Sequence, residues 1–435
     1  MTCNILNYGA RISDLLQTAA IQAAIDDCFL QGGGTVIVPA GIYRIGGLRL
    51  RSHVTLLLQS GAMLEGSRDP EDYIGWLEDK VEPLDISEQG DITRRSANPF
   101  SRWNNALIRA YDAMDIAIIG EPYSYIDGCN CYDPQGEENY RGPHGINMWN
   151  CRNVTLRGYT LRNTGNWAHA IFKSESVTID NVTVYGGHDG IDIFLCEQVQ
   201  ITNCRLLTGD DAIAGFGSRY VRVRDCLLMS SCSSIRFGGT DVIFEYCRME
   251  SDTPFAFRGS CNQKQREYSL MPDDHCHHVT RNVFLYYCDE RFGDLPYTPG
   301  NIIIRHCRFK GVRTLFVMNF GVHIWCRGRA LTSITFEDCA AEGLECPSYI
   351  YGDPKEPITF TLRNVTLSRK KGLDTPTADL VLETSHHREI RLEGVKLVGY
   401  DQPKVITHTD GLLMSVDTTN FTVETAKLGD ARANQ

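Results

Sequence analysis

Short phrases in which apolar and polar residues alternate recur through the middle of the chain. They run Val154–Tyr159, Val177–Val182, Val199–Cys204, Val221–Cys226 and Val242–Cys247, with Ile302–Cys307 and Ile334–Cys339 further on. Alternation with a period of two predicts strands that bury one face. The first apolar residues advance by 23, 22, 22 and 21 positions, then by 60 and 32. A repeat of about 22 residues that holds a strand and its turns predicts the coil of a solenoid. Leucine-rich repeats share that period, but their Leu-x-x-Leu-x-Leu frame is missing. Short β-branched strands between Gly, Asn and Asp turns predict an all-β fold, a parallel β-helix with coils stacked about 4.8 Å apart. Cys204, Cys226, Cys247, Cys307 and Cys339 hold the same place in their phrases, which predicts an inward ladder of reduced thiols.

Residues 17–30 change period. Ala20, Ala24 and Phe29 fall near one face of a helix with Ile21 and Ile25, and Gly32-Gly33-Gly34 ends it. Such a helix is expected to cap the open N-terminal end of the solenoid. Segments 76–105 and 259–299 break the rhythm and are expected to be loops inserted near a groove, within one solenoid domain spanning residues 1–435.

Composition narrows the setting. Hydrophobic residues make up 42% and charged ones 22%, ordinary for a chain with a large core. No apolar stretch approaches eighteen residues, so no membrane-spanning helix is expected. A net charge of −11 disfavours nucleic acid as a partner, because phosphate contacts need clustered cations. The 17 cysteines show no disulfide framework, and no signal-like opening is seen, so a cytoplasmic location with reduced thiols is expected. No oligomeric state follows from the pattern.

The repeat also aligns chemistry. Asp189 lies twelve residues after Val177 and Asp211 twelve after Val199, so the two should stand on adjacent coils with Asp210 beside them. Clustered carboxyls repel and separate their pKa values, which lets one stay protonated while another is ionised. Glycosidic hydrolysis needs such a pair. Turn chemistry alone, or a calcium site, would account for the same residues.

Two blocks carry a resemblance. The opening QTAAIQAAIDDC…GGGTVIVPAGIYRIGGLRLRSHVTLLLQSGAMLEGSRDPEDY and the central NVTLRGYTLRNTGNWAHAIFKSESVTIDNVTVYGGHDGIDIFLCEQVQITNCRLLTGDDAIA are similar to family 28 glycoside hydrolases, the polygalacturonases. The likeness covers residues 4–260 and thins to repeat rhythm afterwards. It implies a right-handed parallel β-helix and an inverting hydrolase. The family's Asn-Thr-Asp and Asp-Asp motifs fall on Gly187-His188-Asp189 and Gly209-Asp210-Asp211. By resemblance Asp210 is the general acid, while Asp189 and Asp211 position and deprotonate water. The family's Gly-His-Gly falls on Ser230-Ser231-Cys232, with no histidine, and His188 is the candidate to tune the acid instead. The Arg-Ile-Lys that grips uronate falls on Ala256-Phe257-Arg258.

Arg258 and Arg236 are therefore the candidate cations for a sugar carboxylate, with salt bridging to Asp192 or another acid as the alternative. Trp167, His169 and Trp325 are candidate sugar contacts. Asp273 to His278 holds enough ligand types for a transition metal, yet in consecutive positions, so an active-site flap with one useful histidine or a solvated loop is the alternative, and no metal and no cofactor is expected. The expected activity is chain-end hydrolysis of a galacturonide or related acidic oligosaccharide. The competing readings are a β-helix lyase with calcium on the three aspartates, and a carbohydrate-binding solenoid without catalysis.

Overall fold

The computed structural model describes residues 1–73, 102–257, 278–289, 295, 297–322, 325–373, 379–413 and 416–424, and of these it gives the backbone alone for 139, 409–413 and 416. Each complete coil contributes three strands, not the one per coil that the sequence revealed. One coil holds His169–Phe172, Glu175–Asp180 and Thr183–Gly186; the next holds Ile191–Phe194, Glu197–Thr202 and Arg205–Thr208. Pairing is parallel and in register at the repeat spacing: His169 opposite Ile191, Val177 opposite Val199, Thr183 opposite Arg205. All seven phrases stack as one column, Val154–Val177–Val199–Val221–Val242–Ile302–Ile334, across both long intervals.

The strands that escaped notice are covered on both faces. His169–Phe172 and Ile191–Phe194 are buried at every residue, so no polar side chain alternates with the apolar ones. The phrases do alternate because their outward side chains reach solvent. The phrases also share a corner. Asn181, Asn203, Asp225, Tyr246, His306 and Asp338 all adopt positive φ between 52° and 56°, a left-handed turn that Asn and Asp tolerate best. The ladder cysteine follows at once and closes the corner: Cys204, Cys226 and Cys307 each donate to the carbonyl two residues back, at 3.2 Å.

Helix α1 (Thr18–Leu30) buries Ile21, Ala24, Ile25 and Cys28 against the first coils, as the capping role requires. Phe29 is a correction: it is 38% exposed, lying 5.8 Å from the Arg51 guanidinium at the edge of the cap. The second inserted segment is not all loop. Residues 74–101 and 258–277 lie outside the described residues, but Asn282–Tyr286, expected to be loop, is a strand of the ladder between Ser233–Phe237 and the later coils. The sheets continue past the last phrase to Thr422–Glu424.

One outward row prepares the site. Asn147, Ala170, Asp192, Ala214, Arg236 and Leu285 are register partners in that order. Two residues along, Trp149, Phe172 and Phe194 stack with centroids 4.7 and 5.1 Å apart, and Phe216 meets Phe194 edge-on at 5.3 Å. This aromatic rib supports the floor of a cleft.

Candidate active site

The cleft encloses about 360 Å³ and gathers Asp189, Asp210, Asp211, Cys232, Arg236 and Trp167 along its wall and floor. The 22-residue period places its carboxylates. Asp189, Asp211 and Ser233 follow one another coil by coil, and each carboxylate accepts the backbone N–H of the next: Asp211 N–H to Asp189 Oδ1 at 2.9 Å, Ser233 N–H to Asp211 Oδ1 at 3.1 Å. Asp210 Oδ1 also receives the Asp211 N–H, at 3.1 Å. The three aspartates expected on one ledge are therefore together.

Burial dominates their electrostatics. It pushes Asp189 well above the usual carboxylate range, and the neighbouring charges of Asp210, Asp192 and Asp211 add to it. Asp211 is pushed up to about 6 by burial and by Asp210, against the opposing pull of Arg236 and of hydrogen bonding from Ser233. Asp192 is raised by burial and by Asp211, and neither of its oxygens has a hydrogen-bond partner among the described residues. Not all of these groups can be ionised together, so the cluster takes up and releases protons as a unit.

Arg236 is the counter-charge. Its Nη1 lies 3.4 Å from Asp211 Oδ2, so the ion pair is to Asp211 rather than to Asp192. Alanine at 214, the rung between Asp192 and Arg236, leaves the guanidinium room to lean back toward the carboxylates. The Tyr287 and Trp325 rings lie 4.1 and 4.8 Å from it and fix its plane. Trp167 lines the floor, stacked on Phe194 at 5.6 Å, and Trp325 at the mouth is 37% exposed.

One expected sugar contact is corrected. His169 is fully buried because it shares the inward face with Ile171; its ring nitrogens meet the Tyr159 hydroxyl at 3.0 Å and the Gly190 carbonyl at 3.1 Å. Burial lowers its pKa to about 4, and it is a neutral core residue. His188 precedes Asp210 by one coil and is only 1% exposed, with the nearly parallel Tyr140 ring at 6.1 Å; it does not meet a sugar directly, and it stands next to Asp189, where tuning of the acid would place it. Arg258 lies outside the described residues, as do 273–277; His278 Nδ1 donates to the Thr253 carbonyl, 2.8 Å away.

The structure adds residues that the repeat did not flag. Arg141 comes from the connection before strand His144–Trp149, bonded to Asn166 at 3.2 Å and paired with Glu138 at 3.1 Å. Arg281 precedes the unrecognised strand and lies 4.2 Å from the Phe257 ring. Both line the cleft. Cys232 was legible in principle, since it stands 22 positions after Asp210. Its sulfur and the carboxylate oxygens of Asp210 and Asp211 lie within 4.8 Å of one another. Burial and the two aspartates push this thiol far up, so it is neutral, and the guanidinium of Arg236 pairs with Asp211. That donor set suits a proton network better than a bound cation.

Residues 144–341 match the family model described as a right handed beta helix region. A stretch of 71 residues, 16% of this chain, is 46% identical to the exo-poly-alpha-D-galacturonosidase of Dickeya chrysanthemi but spans only 12% of that protein's length. The family 28 exopolygalacturonase of Yersinia enterocolitica superposes with a TM-score of 0.58 at 17% identity, covering 97% of this chain and 78% of that one. A surface adhesin of Streptococcus pneumoniae superposes with a TM-score of 0.63 at 14% identity, covering 94% and 93%. Backbone likeness to an enzyme and to an adhesin alike speaks for architecture, and activity has to be argued from the cleft. The chain is a right-handed parallel β-helix protein with the fold of the family 28 polygalacturonases.

Proposed function

We propose that this protein is an inverting glycoside hydrolase that removes units from the end of a galacturonide or a related acidic pectic oligosaccharide. One observation carries the reading: Asp189, Asp210 and Asp211 meet on adjacent coils in the wall of a cleft floored by Arg236. Hydrolysis requires a carboxylic acid to protonate the leaving oxygen and a carboxylate to activate water. Asp210, the least buried of the three, is the proton donor. Asp211, held by the Ser233 N–H and by Arg236, activates water with Asp189 behind it.

The substrate class follows from charge. Arg141, Arg236 and Arg281 set three guanidinium groups among the carboxylates of the cleft, in a protein whose net charge is −11. Guanidinium groups hold carboxylates through paired hydrogen bonds, and the Trp167 and Trp325 rings offer faces for sugar. The segment carrying Glu137, Glu138 and Arg141 walls the cleft on its N-terminal side, which supports action at a chain end. Cysteines that are all free among the described residues support a cytoplasmic setting and short substrates.

Incubation with oligogalacturonides of defined length, followed by product sizing and anomer detection, tests the proposal. The expected result is stepwise release of single units with inverted configuration, unchanged by a chelator. A chelator-sensitive, ultraviolet-absorbing unsaturated product would replace it with the lyase reading. Sugar affinity without turnover across a broad glycan panel would leave a binding solenoid, the reading that the fold shared with an adhesin favours.

A further inference from the structure

We infer that Cys232 is a positioning residue of the carboxylate cluster, its neutral thiol donating to Asp211 and holding that carboxylate ready to act on water. The inference rests on the glycosidase reading of the cleft and deepens it. Residue 232 stands one coil beyond Asp210 and precedes Ser233, whose N–H already binds Asp211 at 3.1 Å. The sulfur lies within 4.8 Å of carboxylate oxygens of both aspartates. Its backbone is pinned on each side. The Cys232 N–H donates to Ser230 Oγ at 2.8 Å, that hydroxyl donates to the Asp210 carbonyl at 2.7 Å, and the Cys232 carbonyl receives the Arg281 N–H at 2.7 Å. The thiol therefore cannot drift away from the carboxylates without moving the turn that carries Asp210.

Charge decides what the sulfur does there. A thiolate beside two carboxylates would be repelled, so the group keeps its proton, and a neutral S–H facing a carboxylate donates. Asp211 is faced by Asp189, Asp210 and Asp192, which all favour its protonation, and by Arg236, the Ser233 N–H and the Cys232 thiol, which favour its ionised form. The proton on Asp211 is thus balanced between opposing neighbours, and removing one donor tips it toward the inactive protonated form.

The test compares Cys232→Ala with Cys232→Ser, which keeps a hydroxyl donor. In kcat/KM against pH, the acid limb should move up by about half a unit to one unit in the alanine variant. At pH 5 that variant should lose about three- to tenfold in kcat/KM, the scale of one hydrogen bond, with the serine variant close to wild type. A thiol with a merely structural role would lower the rate and leave the limb in place. In parallel, infrared spectroscopy of the resting protein follows the carboxyl titration, with the Asp211 band assigned from Asp211→Asn. Cys232→Val, which also removes the donor but fills more of the site, should raise the same midpoint and covers the case of an alanine variant that does not fold. An Asp211 midpoint unmoved by both substitutions overturns the inference. Because the infrared measurement needs no substrate, a moved midpoint in a protein that cleaves no uronide sinks the glycosidase reading alone, and turnover with an unmoved midpoint sinks this one alone.

Discussion

Asp192 shows how a single carboxyl is held against its own chemistry. It is 1% exposed, stands between Ala170 and Ala214 on the outward row, and is raised by burial and by Asp211. With Asp189 and Asp211 raised as well, the folded state holds protons that the unfolded chain releases near pH 3.8. Stability from these groups is present in full below 3.8 and is lost as pH rises through their folded pKa values, about 6 for Asp211. The melting temperature should therefore rise as pH falls from 7 toward 5. Asp192→Asn should raise it at pH 7 and flatten that dependence; a lower melting point at pH 7 with the slope intact would contradict this account. For the reaction, Asp210→Asn should fold and bind sugar normally while turnover falls by about 10²–10⁴-fold, the range for lost general acid catalysis. An activated aryl glycoside, which needs little leaving-group protonation, should recover rate in Asp210→Asn and not in Asp211→Asn. Equal losses for both variants on both substrates would refute the division of roles.

At the scale of the element, the ladder position at the corner accepts buried side chains without charge. Cysteine fills it in five phrases, Tyr159 and Val182 in the other two, and Val365 and Val395 further on, all buried. Cys226→Val should therefore shift stability by less than about 1 kcal/mol, as a swap that nearly conserves volume. Cys226→Asp should cost more than about 3 kcal/mol, because a charge would be sealed between Cys204 and Cys247 without a cation. Denaturant midpoints of the two variants check this; equal midpoints would mean that the corner is open to water. Strands that water touches on one side were legible as alternation, whereas Ile191–Phe194 was not, being covered by the cleft residues outside and the core within.

Across the whole molecule, contacts run between neighbouring coils, so a local defect should spread from where it starts. Helix α1 closes the first coils through Ile21 and Ile25, both fully buried. Ile25→Ala should cost about 2–4 kcal/mol. Its effect should be graded: amide exchange should accelerate first in Gly34–Val38 and Val54–Leu58, while Ile191–Phe194 near the aspartates stays protected. Uniform loss of protection along the solenoid would show a cooperative unit in place of a stack of coils.

The sequence by itself determined the repeat, and through it the coil, the thiol ladder, the capping helix and the stacking of Asp189 under Asp211, because a fixed period converts spacing into position along an axis. It could not decide which way a side chain faces at strands covered on both sides. His169 therefore read as a site residue although it is buried on the inward face. Nor could it bring in residues from outside the counted phrases. Arg141 reaches the cleft from a connection, and Arg281 from a coil hidden in the long interval. The protonation of the cluster was likewise a tertiary matter, since it depends on how deeply Asp189, Asp192 and Asp211 are buried around Arg236 and Cys232, and burial belongs to the packed coils rather than to any one of them.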